Sequence, residues 1–280
     1  MSDIHSNVIA LEACLAYIEQ NPVDAIVILG DFVSDCPEPR RTLTMLYEWI
    51  ERMPVYCIRG NREEYFLSYR SGSEANWTSS SYKGSLLYTY ERLEGQDFAW
   101  FESLPLTQVL LFPGTAPIRL VHGSPMSAKE LLDEGMDNTK GYLKALDTDY
   151  LLAGHTHRQM QYTYEGKTII NPGSVGVAIG VTCMAHMAYL SWEHEKWQPT
   201  FLSIPFSFEA VQAWFLKSSL LNMAYIWPIC ILKSMQTGKN MGPLCAKRAY
   251  DLALSEQKLL EDGSPPESYW QKAARELGVL

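Results

Sequence analysis

The order of apolar and polar positions divides the chain into alternating helical and extended segments. Residues 8–20 place Val8, Leu11, Leu15 and Ile18 on one helical face. The continuous apolar run from Ala25 to Leu29 follows and stops at Gly30-Asp31. Leu43, Leu46, Trp49 and Ile50 mark a second helix, and Val55 to Ile58 a second buried run, which stops at Gly60-Asn61. This alternation with short connections predicts βαβ units feeding a sheet with both faces covered.

The middle of the chain is less regular. Ser71 to Ser85 is rich in Ser and Gly and reads as a loop holding Trp77 and Tyr82, and helical signal returns at about 90–103. Extended runs then resume at Ile118–Val121, Tyr150–Ala153 and Thr168–Ile170, ending respectively at His122-Gly123, Gly154-His155 and Asn171. Met184–Trp192 and Thr200–Ile204 predict two closing antiparallel strands. Beyond Phe206 only helical signal is left. The expected division is therefore a domain over residues 1–204, with 62–116 as an insert or cap, and a helical extension over 205–280.

Composition narrows the classes. With 47% hydrophobic and 20% charged residues the chain is an ordinary globular one, which excludes disorder. Its net charge of −9 and the lack of any Lys/Arg run make nucleic acid an improbable partner. The six cysteines include no C-x-x-C pair, against a zinc ribbon or a thioredoxin-like motif. No leader pattern opens the sequence, and Ser218 to Leu232, interrupted by Asn222 and Pro228, is shorter than the ~20 residues of a membrane span. A reduced, cytoplasmic protein without a membrane partner is the expectation.

Five short segments carry the chemistry: Asp3 with His5, Gly30-Asp31, Gly60-Asn61-Arg62-Glu63, His122-Gly123 and Gly154-His155 with His157. Four follow predicted strands, and ligands of open α/β sheets collect beyond the carboxyl ends of strands. In an extended segment residues i and i+2 face the same way, which pairs Asp3 with His5 and His155 with His157. The imidazole, carboxylate and amide donors, without thiolate, suit Mn²⁺, Fe, Zn²⁺, Ni²⁺ or Co²⁺ better than Ca²⁺.

These residues in this order resemble the calcineurin-like metallophosphoesterase family. Its pattern D-x-H, G-D, G-N-H, H-G and G-H-x-H falls on Asp3/His5, Asp31, Asn61, His122 and His155/His157. The resemblance covers about residues 2–176 and is nearest to the small bacterial and archaeal phosphodiesterase branch. It implies a four-layer α/β/β/α sandwich, here with a C-terminal helical extension, and two divalent metals, foremost Mn²⁺. One metal would take Asp3, His5 and His157, the other Asn61, His122 and His155, with Asp31 bridging. Asn61, Arg62 and His122 would form the catalytic group. The implied activity is hydrolysis of a small phosphorylated substrate, at a phosphodiester or nucleotide-type phosphoanhydride bond, through a metal-bridging hydroxide. The alternative is a catalytically weak scaffold used for protein interaction.

Two departures bear on that choice. Arg62 stands where the family has the histidine of G-N-H, and a guanidinium can grip phosphate oxygens but cannot act as a general acid. An ion pair with Glu63 or Glu64 is its competing role. Only Met1 and Ser2 precede Asp3, where the family has an apolar strand, so Asp3 and His5 are expected on a frayed terminus. Either the start lies too far downstream or the first metal site is compromised; the former is favoured. His186 and His194 match no motif and read as structural. Trp214, Phe215, Tyr225 and Trp227 read as core or as a homo-oligomer seam through the C-terminal helices.

Overall fold

A computed structural model describes all 280 residues. In chain order the elements are α1 (Val8–Gln20), β1 (Ile26–Ile28), α2 (Pro39–Arg52), β2 (Val55–Cys57), α3 (Asn61–Arg70), α4 (Gly84–Tyr90), α5 (Gly95–Ser103), β3 (Thr107–Leu110), β4 (Ile118–Val121) and α6 (Asp137–Ala145). They continue with β5 (Tyr150–Leu152), β6 (Gln159–Tyr164), β7 (Lys167–Pro172), β8 (Met184–Glu193) and β9 (Lys196–Pro205). The chain closes with five helices: α7 (Phe208–Lys217), α8 (Leu220–Ala224), α9 (Ile226–Thr237), α10 (Met241–Ser255) and α11 (Glu267–Glu276).

Two sheets face one another. In the first, β1 and β2 pair in parallel, and the segment Met1–Asp3 lies along the free edge of β1. Leu29 donates its N–H to the Met1 carbonyl and Asp3 donates to Gly30. On its far side, Val175 and Gly176 donate to Ser2 and Asp3, and His186 of β8 donates to Ser174. The β8–β9 hairpin, registered from Met184/Pro205 to Glu193/Lys196, completes this layer. The second sheet has the order β3-β4-β5-β7-β6, parallel from β4 through β7 and antiparallel at its two edges.

Leu29 and Ile58 of the first sheet meet Leu120, Leu152 and Ile170 of the second in the middle of the sandwich. Outside it, α1 and α2 bury Leu11, Leu15, Leu43 and Leu46 against the first sheet. On the other side Leu143 of α6 packs on Leu151 and Ile169. Four layers, α/β/β/α, result from these apolar faces, as the resemblance implies. The Ser/Gly-rich stretch is loop up to Gly84, as its composition predicts, and Trp77 within it is buried and stacks on Tyr69 at 4.2 Å between ring centroids.

The start of the chain departs from expectation. Asp3 and His5 are 0% and 1% exposed and backbone-bonded to Gly30 and Asp31, so they do not sit on a frayed terminus. The reason is that Met1–Asp3 is paired on both sides within the sheet. The α-ammonium of Met1 is drawn in with it, donating to the Val27 carbonyl at 2.8 Å, and burial drives its pKa down to about 6. Behind Met1 the two sheets part around an apolar cleft of about 540 Å³, bordered by Tyr17, Val27, Leu190 and Trp197. This cleft is not where the motif residues gather.

Candidate metal centre

The motif residues meet beyond the carboxyl ends of β1, β2, β4 and β5. Close backbone approach is a condition of that meeting: a Cβ on Gly30, where φ is +90°, would lie 2.3 Å from the Gly60 nitrogen. Asp3, His5, Asp31, His155 and His157 all have φ between +51° and +66°. That left-handed conformation costs L-residues of order 1–3 kcal/mol each and concentrates at functional sites. It also revises the pairing expected for an extended segment. The His155–His157 turn is not extended, and its two rings go to different groups.

Two groups of ligand atoms form, Asp3 with His5 and His157, and Asp31 with His122 and His155, with the atoms of each within 4.8 Å of one another. Asp31 Oδ2 lies 3.5 Å from His122 Nε2 and 3.8 Å from His5 Nε2, between the groups. Asn61 joins the second group, its Oδ1 being 3.0 Å from His122 Nε2. The structure thus brings together all seven residues that the sequence marks as candidate ligands.

The ring environments give each histidine an inward lone pair. His122 Nδ1 donates to the Leu29 carbonyl at 2.6 Å and His157 Nδ1 to the Val177 carbonyl at 2.8 Å, which leaves Nε2 of both facing the centre. His155 is turned over, its Nε2 donating to the Lys129 carbonyl. Nε2 of His5 and of His157 are 3.0 Å apart, and Nε2 of His122 stands as close to an amide oxygen. Such acceptor pairs need a shared proton or a shared cation. Asp3 Oδ1 is buried without any hydrogen-bond partner, whereas Oδ2 is held by Ser2 Oγ and the His155 N–H. An orphan carboxylate oxygen among converging imidazoles fits metal ligation.

Charge follows the same layout. Burial drives His5 and His155 down to about 4, so both rings are neutral at pH 7. Burial also opposes charge on His122, but Asp31 and Asp3 outweigh it and hold this ring at about 10. Asp3 raises His157 against burial in the same way. Burial works against the ionised forms of Asp3 and Asp31, yet the neighbouring imidazoles keep both well below the usual carboxylate range. A divalent cation among these groups would take the place of the imidazole protons.

One residue, Glu63, escaped the sequence reading as part of the site. Glu63 is fully buried, and its carboxylate accepts N–H bonds from Gly60 (2.8 Å), Asp31 (2.9 Å) and Phe32 (3.0 Å). It clamps the Gly30-Asp31 turn to the start of α3. Burial and then the charge of Asp31 push its pKa up to about 7. The signal was present, since an acid three residues after the cap at Gly60 is half of a capping box. Arg62 bonds neither Glu63 nor Glu64. Its Nη2 donates to Asp35 at 3.0 Å, its Nε is 3.8 Å from Asp31 Oδ2, and its backbone N–H donates to Asp31 Oδ1. His186 is a buried histidine with both nitrogens unpartnered, away from the ligand groups.

A two-sheet sandwich with this ligand constellation defines a metallophosphoesterase. Residues 1–193 match the calcineurin-like phosphoesterase superfamily domain, and the chain belongs to that family. It is 26% identical over 194 residues to an uncharacterized protein of Methanocaldococcus jannaschii, covering 63% of this chain and 74% of that protein. A hypothetical protein of Pyrococcus horikoshii has the same fold (TM-score 0.73, 19% identity, 85% of this chain and 97% of that one). So does a metallophosphoesterase from Sphaerobacter thermophilus (TM-score 0.64, 22% identity, 85% and 98%). The family supports a metal-dependent phosphoester hydrolase, and no helix is long and apolar enough to cross a membrane.

Proposed function

We propose that the chain is a two-metal phosphoesterase that hydrolyses phosphodiester or nucleotide-type phosphoanhydride bonds of a small phosphorylated substrate. The observation that carries this reading is the inward convergence of two ligand groups on Asp31 and the orphan oxygen of Asp3. Asp3, His5 and His157 would hold one ion and Asn61, His122 and His155 the other, with Asp31 between them. When bound, the ions supply charge neutralisation and an activated water for displacement at phosphorus. The donor set of nitrogen and hard oxygen suits Mn²⁺, Fe, Zn²⁺, Ni²⁺ or Co²⁺, and the family resemblance puts Mn²⁺ foremost among them.

The chain's own residues do the orienting. Carbonyls of Leu29, Val177 and Lys129 fix the rings of His122, His157 and His155. Arg62 is tied to Asp35 through Nη2, while its Nε is buried without a partner and adjoins the ligand groups. A guanidinium anchored in this way can grip nonbridging phosphoryl oxygens. It cannot protonate a leaving group, which favours phosphoanhydrides and activated diesters over sugar monoesters. The scaffold alternative drew on the missing first strand and on Arg62; the burial of Asp3 and His5 speaks against the first of these.

The test is elemental analysis of the purified protein, together with turnover of bis(p-nitrophenyl) phosphate, dinucleoside polyphosphates and phosphomonoesters under Mn²⁺ supplementation. Two bound ions with diester or anhydride turnover support the proposal. A metal-loaded protein inert to the whole panel refutes it.

A further inference from the structure

Asp35 matches no ligand position, yet four groups from distant parts of the chain converge on its buried carboxylate. Oδ1 accepts the indole N–H of Trp227 at 2.8 Å and the hydroxyl of Ser85 at 3.1 Å. Oδ2 accepts Arg62 Nη2 at 3.0 Å and lies 3.3 Å from His5 Nδ1, which is hydrogen-bonded to Ser34 Oγ at 3.2 Å. Ser85 Oγ also receives the backbone N–H of Asp35, so the side chain and main chain are gripped together. Trp227 belongs to α9 in the C-terminal extension, Ser85 to α4 in the insert, Arg62 to α3 and His5 to the first ligand segment.

The placement of Trp227 is itself built. Its ring packs over Gly242 of α10, where a Cβ would lie 3.1 Å from it, and meets Trp270 of α11 edge-on at 6.3 Å. Ser81 of the insert ties the base of α9 by accepting the Ile226 N–H at 2.9 Å. The extension therefore presses one polar atom, the Trp227 N–H, onto Asp35.

Two consequences reach the centre. The Asp35 carboxylate 3.3 Å from His5 Nδ1, beside the Ser34 hydroxyl bonded to that nitrogen, favours the proton there and leaves Nε2 for the centre, a partnership that commonly orients metal-binding histidines. The same carboxylate anchors one edge of Arg62, whose Nε is left buried without a hydrogen-bond partner, 3.8 Å from Asp31 Oδ2. We infer that Asp35, fastened by Trp227 of the C-terminal extension, is a positioning residue that sets the His5 ring and the Arg62 guanidinium. The helices beyond the family domain thereby complete the site. This rests on the two-metal phosphoesterase reading above.

The test uses the full-length, metal-stripped chain as wild type, Asp35→Asn and Trp227→Phe. Zn²⁺ is titrated calorimetrically while the indole N–H resonances are followed by ¹H–¹⁵N NMR; the Trp227 resonance is the one that Trp227→Phe removes. Zn²⁺ is expected to move that resonance. Asp35→Asn should weaken one of two Zn²⁺ sites by about 10–100-fold, the usual effect of losing a partner behind a ligand. Trp227→Phe, which keeps the ring and the charge, should weaken the same site by less. Because Trp227→Phe leaves Asp35 intact, it carries the test if Asp35→Asn does not fold. Two bound Zn²⁺ ions with an unmoved Trp227 resonance, or wild-type affinities in folded variants, would overturn the inference alone. A shifting resonance in a protein that turns over no phosphoester would overturn the functional reading alone. A chain that binds no Zn²⁺ would overturn both.

Discussion

Glu63 offers a sharp perturbation because its whole role is visible in three bonds. Its carboxylate takes the N–H groups of Gly60, Asp31 and Phe32 at 2.8, 2.9 and 3.0 Å in a fully buried setting. Glu63→Ala leaves those three donors without a partner. A buried unsatisfied polar group costs about 1–3 kcal/mol, so the loss should be about 3–9 kcal/mol, less whatever an entering water recovers. Against the ~5–15 kcal/mol that holds a typical domain, that is a large part of stability. Glu63→Gln should be milder. Its single oxygen can keep two of the bonds, but its NH₂ then faces the third N–H, for a loss of about 1–3 kcal/mol. Both variants also loosen the Asp31 turn, so metal content should fall in the same order. The assay is urea unfolding monitored by circular dichroism, reading midpoint and slope for the three proteins, with elemental analysis alongside. An alanine variant within about 1 kcal/mol of wild type, or a glutamine variant worse than alanine, would refute this account of the clamp.

Four further outcomes are expected. His122→Ala or His155→Ala should lower metal content and reduce turnover by orders of magnitude with the fold kept; full content and turnover in both would defeat the two-group assignment. Arg62→Ala should cut kcat/KM on the order of 10²-fold. Because no acid is positioned, a plot of log kcat/KM against leaving-group pKa should be steep in the wild type, and partial recovery of poor leaving groups is expected in Arg62→His. Burial raises Cys14 and Cys57 from an ordinary 9.0 to about 12. Their contribution is therefore full below pH 9 and lost as pH rises toward 12, at about 1.4 kcal/mol per pH unit per thiol. Urea midpoints between pH 9 and 11 should fall less steeply in Cys14→Ala/Cys57→Ala, and equal slopes would contradict the burial argument. An apolar six-residue segment appended ahead of Met1 should raise the melting temperature, because it replaces a buried terminal amino group by an amide and covers the apolar cleft; an unchanged or lower value would count against that placement.

Much of this protein is set by the sequence alone. Apolar runs that end at Asp31, Asn61, His122 and His155 mark strand ends, since a buried strand must be apolar and a loop beyond it can carry polar donors. Glycines beside those residues foretell tight turns, as Gly30 shows. The order of the five short segments carries the ligand set and the family. Other features depend on chain reversals over long separations, which local pattern does not encode. Whether Asp3 and His5 are anchored depends on Ser174–Gly176 and β1 closing on Met1–Asp3 from both sides. The split of His155 from His157, implied by the resemblance but not by local periodicity, rests on left-handed backbone angles. Arg62 pairs with Asp35, and the neighbouring Glu63 carboxylate is occupied by three backbone N–H groups instead. Trp227 is the extreme case: as a sequence position it is one more apolar residue, and 192 residues separate it from Asp35. Only the packing of the C-terminal helices on the insert brings its one polar atom to the carboxylate.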